Sequence, residues 1–525
     1  MLTPEQIEAA SLGLSPIFED LEDFVIRDLV RRLIAAEGKW TGTAQLQANS
    51  GVMVGVSIDD VIQAVARGMG LADAELAKIL RNMGMINLLS ENERLTGAGL
   101  SPIKIESLPF LQRIVEDIII QTRGALHNLS GSTAIGIVRD TVGGRMYMGM
   151  QAYYRHVLDS AMLKVRAGVQ SPMQAIRDAI KELAKNGLSM HFESGYNCGI
   201  DVAVRRALLT GINQMASIQN AQIADELGLP LAEVTAHQGA RPSHAEWQGK
   251  VYQIKGSSKK YKNLAMATGL GTVSGLLGAN CRHHWHGYDE GMPRTWSDEE
   301  LKHIDPPDFD FAGKHYNAYG ATQRQRALER EIRRKKRELI GYEAADDKEA
   351  FMIASKHLSD IRTEYEVFSN RADLRTKDER AQVFGYGRSI SQKSVHAAKR
   401  YEEKIRKAAQ ERAIIEEIKN QTNLKGDIRL KAFYDIDIDH LRFNDLHING
   451  DRKHGVSEMQ AKNFIRDAKV FQRRMGGDAL NYYSVEGVTY VRVGEGRIRT
   501  AFTADEFSDD IKTMMEVLKK WKIVQ

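Results

Sequence analysis

Apolar residues recur at three- and four-residue spacing through most of the first 230 positions, the period of helices with one buried face. Leu21, Phe24, Val25, Leu29, Leu33 and Ile34 form one stripe, and residues 72–89 carry another. Thr3 precedes Pro4, a capping residue followed by proline at the first helical position. Tyr154, Leu158, Met162 and Val165 form a third stripe. Ile176, Ile180, Leu183 and Leu188 form a fourth, with Gly187 placed as its C-cap. Residues 201–226 predict one long Ala-rich helix that stops at Gly228-Leu229-Pro230. These stripes predict a helical core.

The pattern then changes. Between 231 and 300 the period vanishes and Gly, His, Trp and Pro gather, which predicts a loop-rich compact unit. Asp305-Pro306-Pro307-Asp308 marks a boundary. Residues 321–420 return to helix with few apolar anchors. Gln323–Ile340 holds eight basic residues against three acidic ones, a net +5, with Glu329/Arg333 and Glu331/Lys335 at favourable i,i+4 spacing. These helices read as extended and solvent-facing. Near the end, a helix is expected over 455–474 with Ser457 as its cap. Two or three strands follow over 482–502, then a last helix over 503–520. The expectation is a mainly α, multi-domain chain in four regions. They are a helical N-terminal region (1–140), helices plus a loop-rich unit (141–310), a charged helical arm (311–424) and a small α+β domain (425–525).

Composition narrows the class. At 525 residues, with 42% hydrophobic and 27% charged residues, the chain is long enough for several domains and is ordinary for a globular protein. A net charge of +4 is too small for a globally basic nucleic-acid coat. Two cysteines, Cys198 and Cys281, exclude a disulfide framework. The first residues carry no basic segment followed by an apolar one, so no secretion signal is expected. No run of about 18 apolar residues predicts a membrane span.

The chemistry concentrates in two places. Residues 237–252, His-Gln-Gly-Ala-Arg-Pro-Ser-His-Ala-Glu-Trp-Gln-Gly-Lys-Val-Tyr, are followed some thirty residues on by 278–285, Gly-Ala-Asn-Cys-Arg-His-His-Trp. His237, His244, Cys281 and His283 supply four nitrogen and sulfur donors, a set that tetrahedral zinc accepts, and a structural zinc is the one cofactor expected. Their spacing fits no standard zinc finger. Two other readings stand beside it: a hydrogen-bonded polar cluster that pins the loops, and a Cys281–His nucleophilic pair. A zinc hydrolase would have Glu246 as the nearby base. The glycines at 269, 271, 275 and 278 lack the Gly-Lys-Ser/Thr ending of a phosphate loop and read as ordinary turns.

These two segments resemble the phage minor capsid protein 2 family and, more distantly, the head-morphogenesis proteins of tailed phages. Those share an Arg-Pro-x-His…Gly turn with a downstream Cys-Arg-Cys, whose second cysteine is His283 here. Residues 184–187, 201–211, 319–330 and 378–383 are similar to the same family, so the likeness runs over roughly residues 1–390. It implies a structural protein of the virion of a tailed phage or prophage, assembled in the host cytoplasm. Its partners would be portal and major capsid proteins, and it brings no catalytic residues. The basic 323–340 helix would contact phosphates if it faced packaged DNA; the plainer reading is a solvated face.

In the C-terminal region, His454, Tyr490, Arg499 and Thr500 stand on or before the expected strands. A histidine acid/base, an arginine for the phosphate and a hydroxyl donor suffice for metal-free RNA cleavage. The helix-then-sheet order is similar to the barnase–EndoU–colicin–RelE group of nucleases. In that likeness His454 is the general acid/base, Arg499 the phosphate clamp, and Thr500 or Tyr490 an auxiliary donor. The plainer reading is a satisfied surface set.

Overall fold

A computed structural model describes residues 2–37, 71–103, 109–129, 135–191, 196–256, 258–278, 280–430 and 436–524. Contacts divide the chain into two compact units, Met1–Lys399 and Arg400–Gln525. The chain is mainly α, with a smaller α+β unit at its C-terminal end.

The first unit begins with α1 (Pro4–Ser11), whose Thr3 cap accepts from the Gln6 N–H while Gln6 returns the bond. α2 (Ser15–Glu37) buries Leu21, Val25, Leu29 and Leu33, and leaves Ile34 at the rim. α3 (71–97) and α4 (Pro109–Leu129) follow. The hairpin β1 (Ile135–Thr141) and β2 (Gly144–Gly149) leads to α5 (Met150–Arg166). α6 (Pro172–Asn186) starts at the Ser171 cap and ends at Gly187, whose φ of 62° suits glycine. Two three-residue strands, β3 (Ser189–His191) and β4 (Asn197–Gly199), join the hairpin in a sheet of order β2-β1-β3-β4. The helical period through most of the first 230 positions gives no sign of this sheet; β3 and β4, with three residues each, are too short to carry a period of their own. α7 (Ile200–Glu226) ends where the Gly-Leu-Pro stop predicts.

The loop-rich region is organised by β5 (Leu231–Val234), with β6 (Val251–Gln253) and β7 (Trp285–Tyr288) antiparallel on either side. The short helices α8 (Pro242–Ala245) and α9 (Leu264–Thr268) lie between. Ala232, Val234, Trp247, Tyr252, Leu264, Leu276, Cys281 and Trp285 form its own small core. α10 (Asp298–Lys302) and the hairpin β8 (Phe309–Phe311) and β9 (Lys314–Tyr316) close the region.

α11 (Ala318–Ala344) carries the basic stretch and corrects its reading as a solvent-facing arm. Leu328, Ile332, Leu339 and Ile340 lie in the main core, and Lys336 and Arg337 are buried too. Carboxylates and a backbone carbonyl from distant segments meet its cations. Arg337 Nε donates to Glu22 at 2.8 Å, Arg324 pairs with Glu364, and Arg333 donates to the Arg380 carbonyl at 2.7 Å. Gly341 lets α11 approach α6, since a Cβ there would meet Ile180 Cγ2 at 2.6 Å. α12 (Lys348–Arg371) packs on α11. α13 (Arg388–Gln421) does have the expected exposure: residues 402–410 are all solvent-facing.

In the second unit β10 (Asp427–Leu430), β11 (Arg442–Phe443), β12 (Val470–Arg474), β13 (Ala479–Tyr483), β14 (Gly487–Arg492) and β15 (Arg497–Thr503) form a sheet of order β10-β12-β13-β14-β15-β11. Side chains alternate between two cores. Phe471, Tyr482, Val491, Ile498 and Ala501 pack with Ala461, Phe464 and Ile465 of α14 (Glu458–Arg466). Val470, Tyr483 and Val488 pack with Ile414 and Ile418 of α13 and with Met514 and Leu518 of α15 (Asp509–Lys520). Ser457 caps α14 as predicted, but the helix ends at Arg466, and 470–474 pairs with β13 instead of continuing it. Among the described residues no helix is long and apolar enough to cross a membrane.

Candidate metal centre

Pro242 at the first position of α8 turns the chain so that His244 points inward. The Trp247 and Gln248 N–H groups return to the His244 carbonyl, which brings Gln248 onto the same side as His244. The Gly-Ala-Asn-Cys-Arg-His segment arrives on a second tight turn, with the Cys281 N–H donating to the Gly278 carbonyl. A Cβ at Gly278 would meet Val273 O at 2.4 Å, so this turn requires glycine. Asn213 of α7 donates to the Cys281 carbonyl at 3.0 Å, and Asn220 to the Trp285 carbonyl at 2.7 Å. The long helix thus holds both ends of the segment.

The two turns bring together His244, Cys281 and His283, all buried, with one ligand atom of each within 4.8 Å of the others. Cys281 Sγ lies 3.9 Å from His244 Nδ1 and 3.7 Å from His283 Nδ1. The opposite ring nitrogens are committed. His244 Nε2 donates to the Ser274 carbonyl at 2.9 Å, and His283 Nε2 to Gln248 Oε1 at 3.0 Å. Gln248 Oε1 also accepts the His237 backbone N–H, which fixes it as the oxygen. Both Nδ1 atoms therefore present lone pairs to the sulfur. Trp247 packs on both rings, 4.5 Å from His244 and 4.8 Å from His283.

His237, expected as a fourth donor, is not in this set. Its ring stacks on His283 at 4.3 Å, and its Nδ1 is bonded to the Gln238 carbonyl. Burial, then the Arg282 charge, pushes it down to about 3. Burial also lowers His283 and His244 and raises the Cys281 thiol. The cluster is thus neutral at physiological pH. Glu246, the base of the hydrolase reading, is exposed, whereas the three donors are buried. Gln248 and Ser274 join the site beyond the four expected donors; the i,i+4 spacing from His244 is the sequence signal for Gln248.

Arg282, next to the site, faces a second buried cluster. Glu8 of α1 pairs with Arg380, with Lys377 at 2.6 Å and with Arg282 at 3.7 Å. Burial alone would raise the Glu8 carboxyl, but Arg380, Lys377 and Arg282 together hold it down at about 2.

In the second unit, His454 Nδ1 meets Glu506 Oε2 at 2.7 Å, and its ring tilts against Phe502 at 5.5 Å. Thr500 stands opposite Tyr490 in the β14–β15 register, and the shift after Tyr490 leaves Arg499, which is exposed, as the extra residue of a bulge. Tyr490 is half-buried edge-on to Phe502 and packs toward the α15 core.

Comparison with known proteins adds the following. The family described as phage minor capsid protein 2 matches residues 2–369. A protein of Lactococcus phage LL-H described as a structural protein is 27% identical over 187 residues, covering 34% of this chain and 48% of that relative. The match thus spans about half of that relative's length. No solved structure matches the chain.

Proposed function

This chain belongs to the phage minor capsid protein 2 family, and from that premise we propose that it is a structural component of the virion head. In this reading it contacts portal and major capsid subunits and takes part in head assembly. The family match carries the proposal, since it covers most of the first compact unit. The relative described as a structural protein supports the same class. The internal pairing of the α11 cations favours protein partners over packaged DNA. The exposed middle of α13 is a surface such partners can use. Co-expression of the full chain with the portal and major capsid proteins of the same phage tests the reading. The expected result is co-purification with at least one of them; no association with either counts against it.

A second reading concerns the Arg400–Gln525 unit, which lies outside the family match. It is a metal-independent ribonuclease, favoured by the His454–Glu506 pair and by the contact of His454 with Phe502, which shares strand β15 with the Arg499 bulge. His454 would take the proton of the attacking 2′-hydroxyl as that oxygen bonds to phosphorus. The bond from phosphorus to the 5′-oxygen would break as that oxygen takes a proton from water, and Arg499 would hold the phosphate charge. Thr500 is the better-placed auxiliary donor, because Tyr490 is packed against the core. Full-length protein should cleave RNA to 2′,3′-cyclic phosphate ends without added metal, and His454→Ala or Arg499→Ala should abolish this. An inactive wild type sinks the reading.

A further inference from the structure

We propose that His244 Nδ1, Cys281 Sγ and His283 Nδ1 together bind one divalent transition-metal ion, zinc by ligand class. The inference is independent of the virion reading and rests on three features of the buried cluster.

The first is proton bookkeeping. Both histidines carry their proton on Nε2, where Ser274 O and Gln248 Oε1 accept it. Each Nδ1 is therefore an acceptor aimed at the same sulfur. A thiol has one S–H, so it can satisfy only one of them. Without a cation the other lone pair faces the sulfur with no donor between them, inside a buried site. A metal ion bound to all three resolves this: the S–H proton leaves to solvent and three lone pairs meet one divalent cation.

The second is spacing. Tetrahedral coordination with ordinary Zn–S and Zn–N bonds separates a sulfur from a nitrogen by about 3.6 Å. The observed separations are 3.9 and 3.7 Å. Contraction by a few tenths of an ångström brings both sulfur–nitrogen separations to that value, and all three ligand atoms already lie within 4.8 Å of one another.

The third is the surrounding shell. Metal-bound histidines characteristically donate their other N–H to a carbonyl or carboxylate, which fixes the ring. Both histidines here do so, to acceptors that come from different segments. Mixed nitrogen and sulfur donors suit zinc better than calcium or magnesium, which take oxygen. The ion would staple the 241–248 turn to the 281–283 turn. His237 stacks on His283 but lies outside the set of three.

The test uses full-length protein stripped with chelator and titrated with Co²⁺ and then Zn²⁺. The expected result is one equivalent per chain, with a thiolate-to-cobalt charge-transfer band and tetrahedral d–d bands that zinc bleaches. Cys281→Ser should lose the charge-transfer band, and His244→Ala should lose the tight equivalent. Gln248→Ala should bind about 10–100-fold more weakly, and its milder change guards against misfolding of the ligand variants. His237→Ala should keep the full equivalent. Folded wild-type protein that takes up no cobalt overturns the proposal, as does cobalt bound without the thiolate band. Loss of metal in folded His237→Ala overturns the three-ligand assignment.

Discussion

Replacing Glu8 by glutamine removes one negative charge from between Arg380, Lys377 and Arg282 while keeping the side chain's size. Glu8 is about 7% exposed, so the three cations have little water to turn to. The carboxyl sits at about 2 against an ordinary 4.5. That depression corresponds to about 3 kcal/mol of folding stability at neutral pH. Breaking a buried ion pair by removing one partner typically costs about 3–5 kcal/mol, so the two routes agree. The sign follows from the direction. The folded value lies below the unfolded one, so the contribution is complete above about pH 5 and is lost as pH falls toward about 2. Urea unfolding of wild type and Glu8→Gln, compared at each pH, isolates this term because other groups cancel. The difference should be about 3 kcal/mol at neutral pH and fall to about half near pH 3. Equal stability at neutral pH, or a difference that does not shrink on acidification, refutes the reasoning.

Leu328 is fully buried on α11, and Leu328→Ala should cost about 2–5 kcal/mol in urea unfolding. Gly341→Ala should cost about 1–3 kcal/mol by pressing a methyl into Ile180, where an exposed helix would gain from the same change. Asn213→Ala removes the donor to the Cys281 carbonyl and should cost about 1–3 kcal/mol in thermal unfolding. Thr489→Val, which leaves the Ala461 carbonyl without its buried hydroxyl donor, should cost a similar ~1–3 kcal/mol, read from the second unit's transition.

Local signals carried much of the helical architecture. Thr3-Pro4, Gly187 and Gly228-Leu229-Pro230 act within a turn of their own position, so they mark boundaries wherever the chain goes. The α11 stretch shows the limit of such reading. Eight basic residues on one helix look solvated until Glu22 and Glu364 arrive from elsewhere, and only tertiary structure brings them. The 455–474 stretch departs from its helical pattern for a related reason. Val470 and Phe471 fit a helical period, but pairing with β13 sends them to opposite faces of a sheet. At the candidate site the residue types were visible in advance, and three of four donors do converge. His237 comes alongside His283 but turns its Nδ1 to the Gln238 carbonyl, because spacing along the chain says nothing about ring orientation. Ser274 acts through its backbone carbonyl, to which side-chain identity is blind.

The central claim is a structural role in the virion head, and the protein content of purified particles tests it most directly. Heads banded by density and washed in high salt should retain the full-length chain at a fixed ratio to the major capsid protein. A chain recovered wholly at the top of the gradient, from particles that are otherwise complete, would contradict the account.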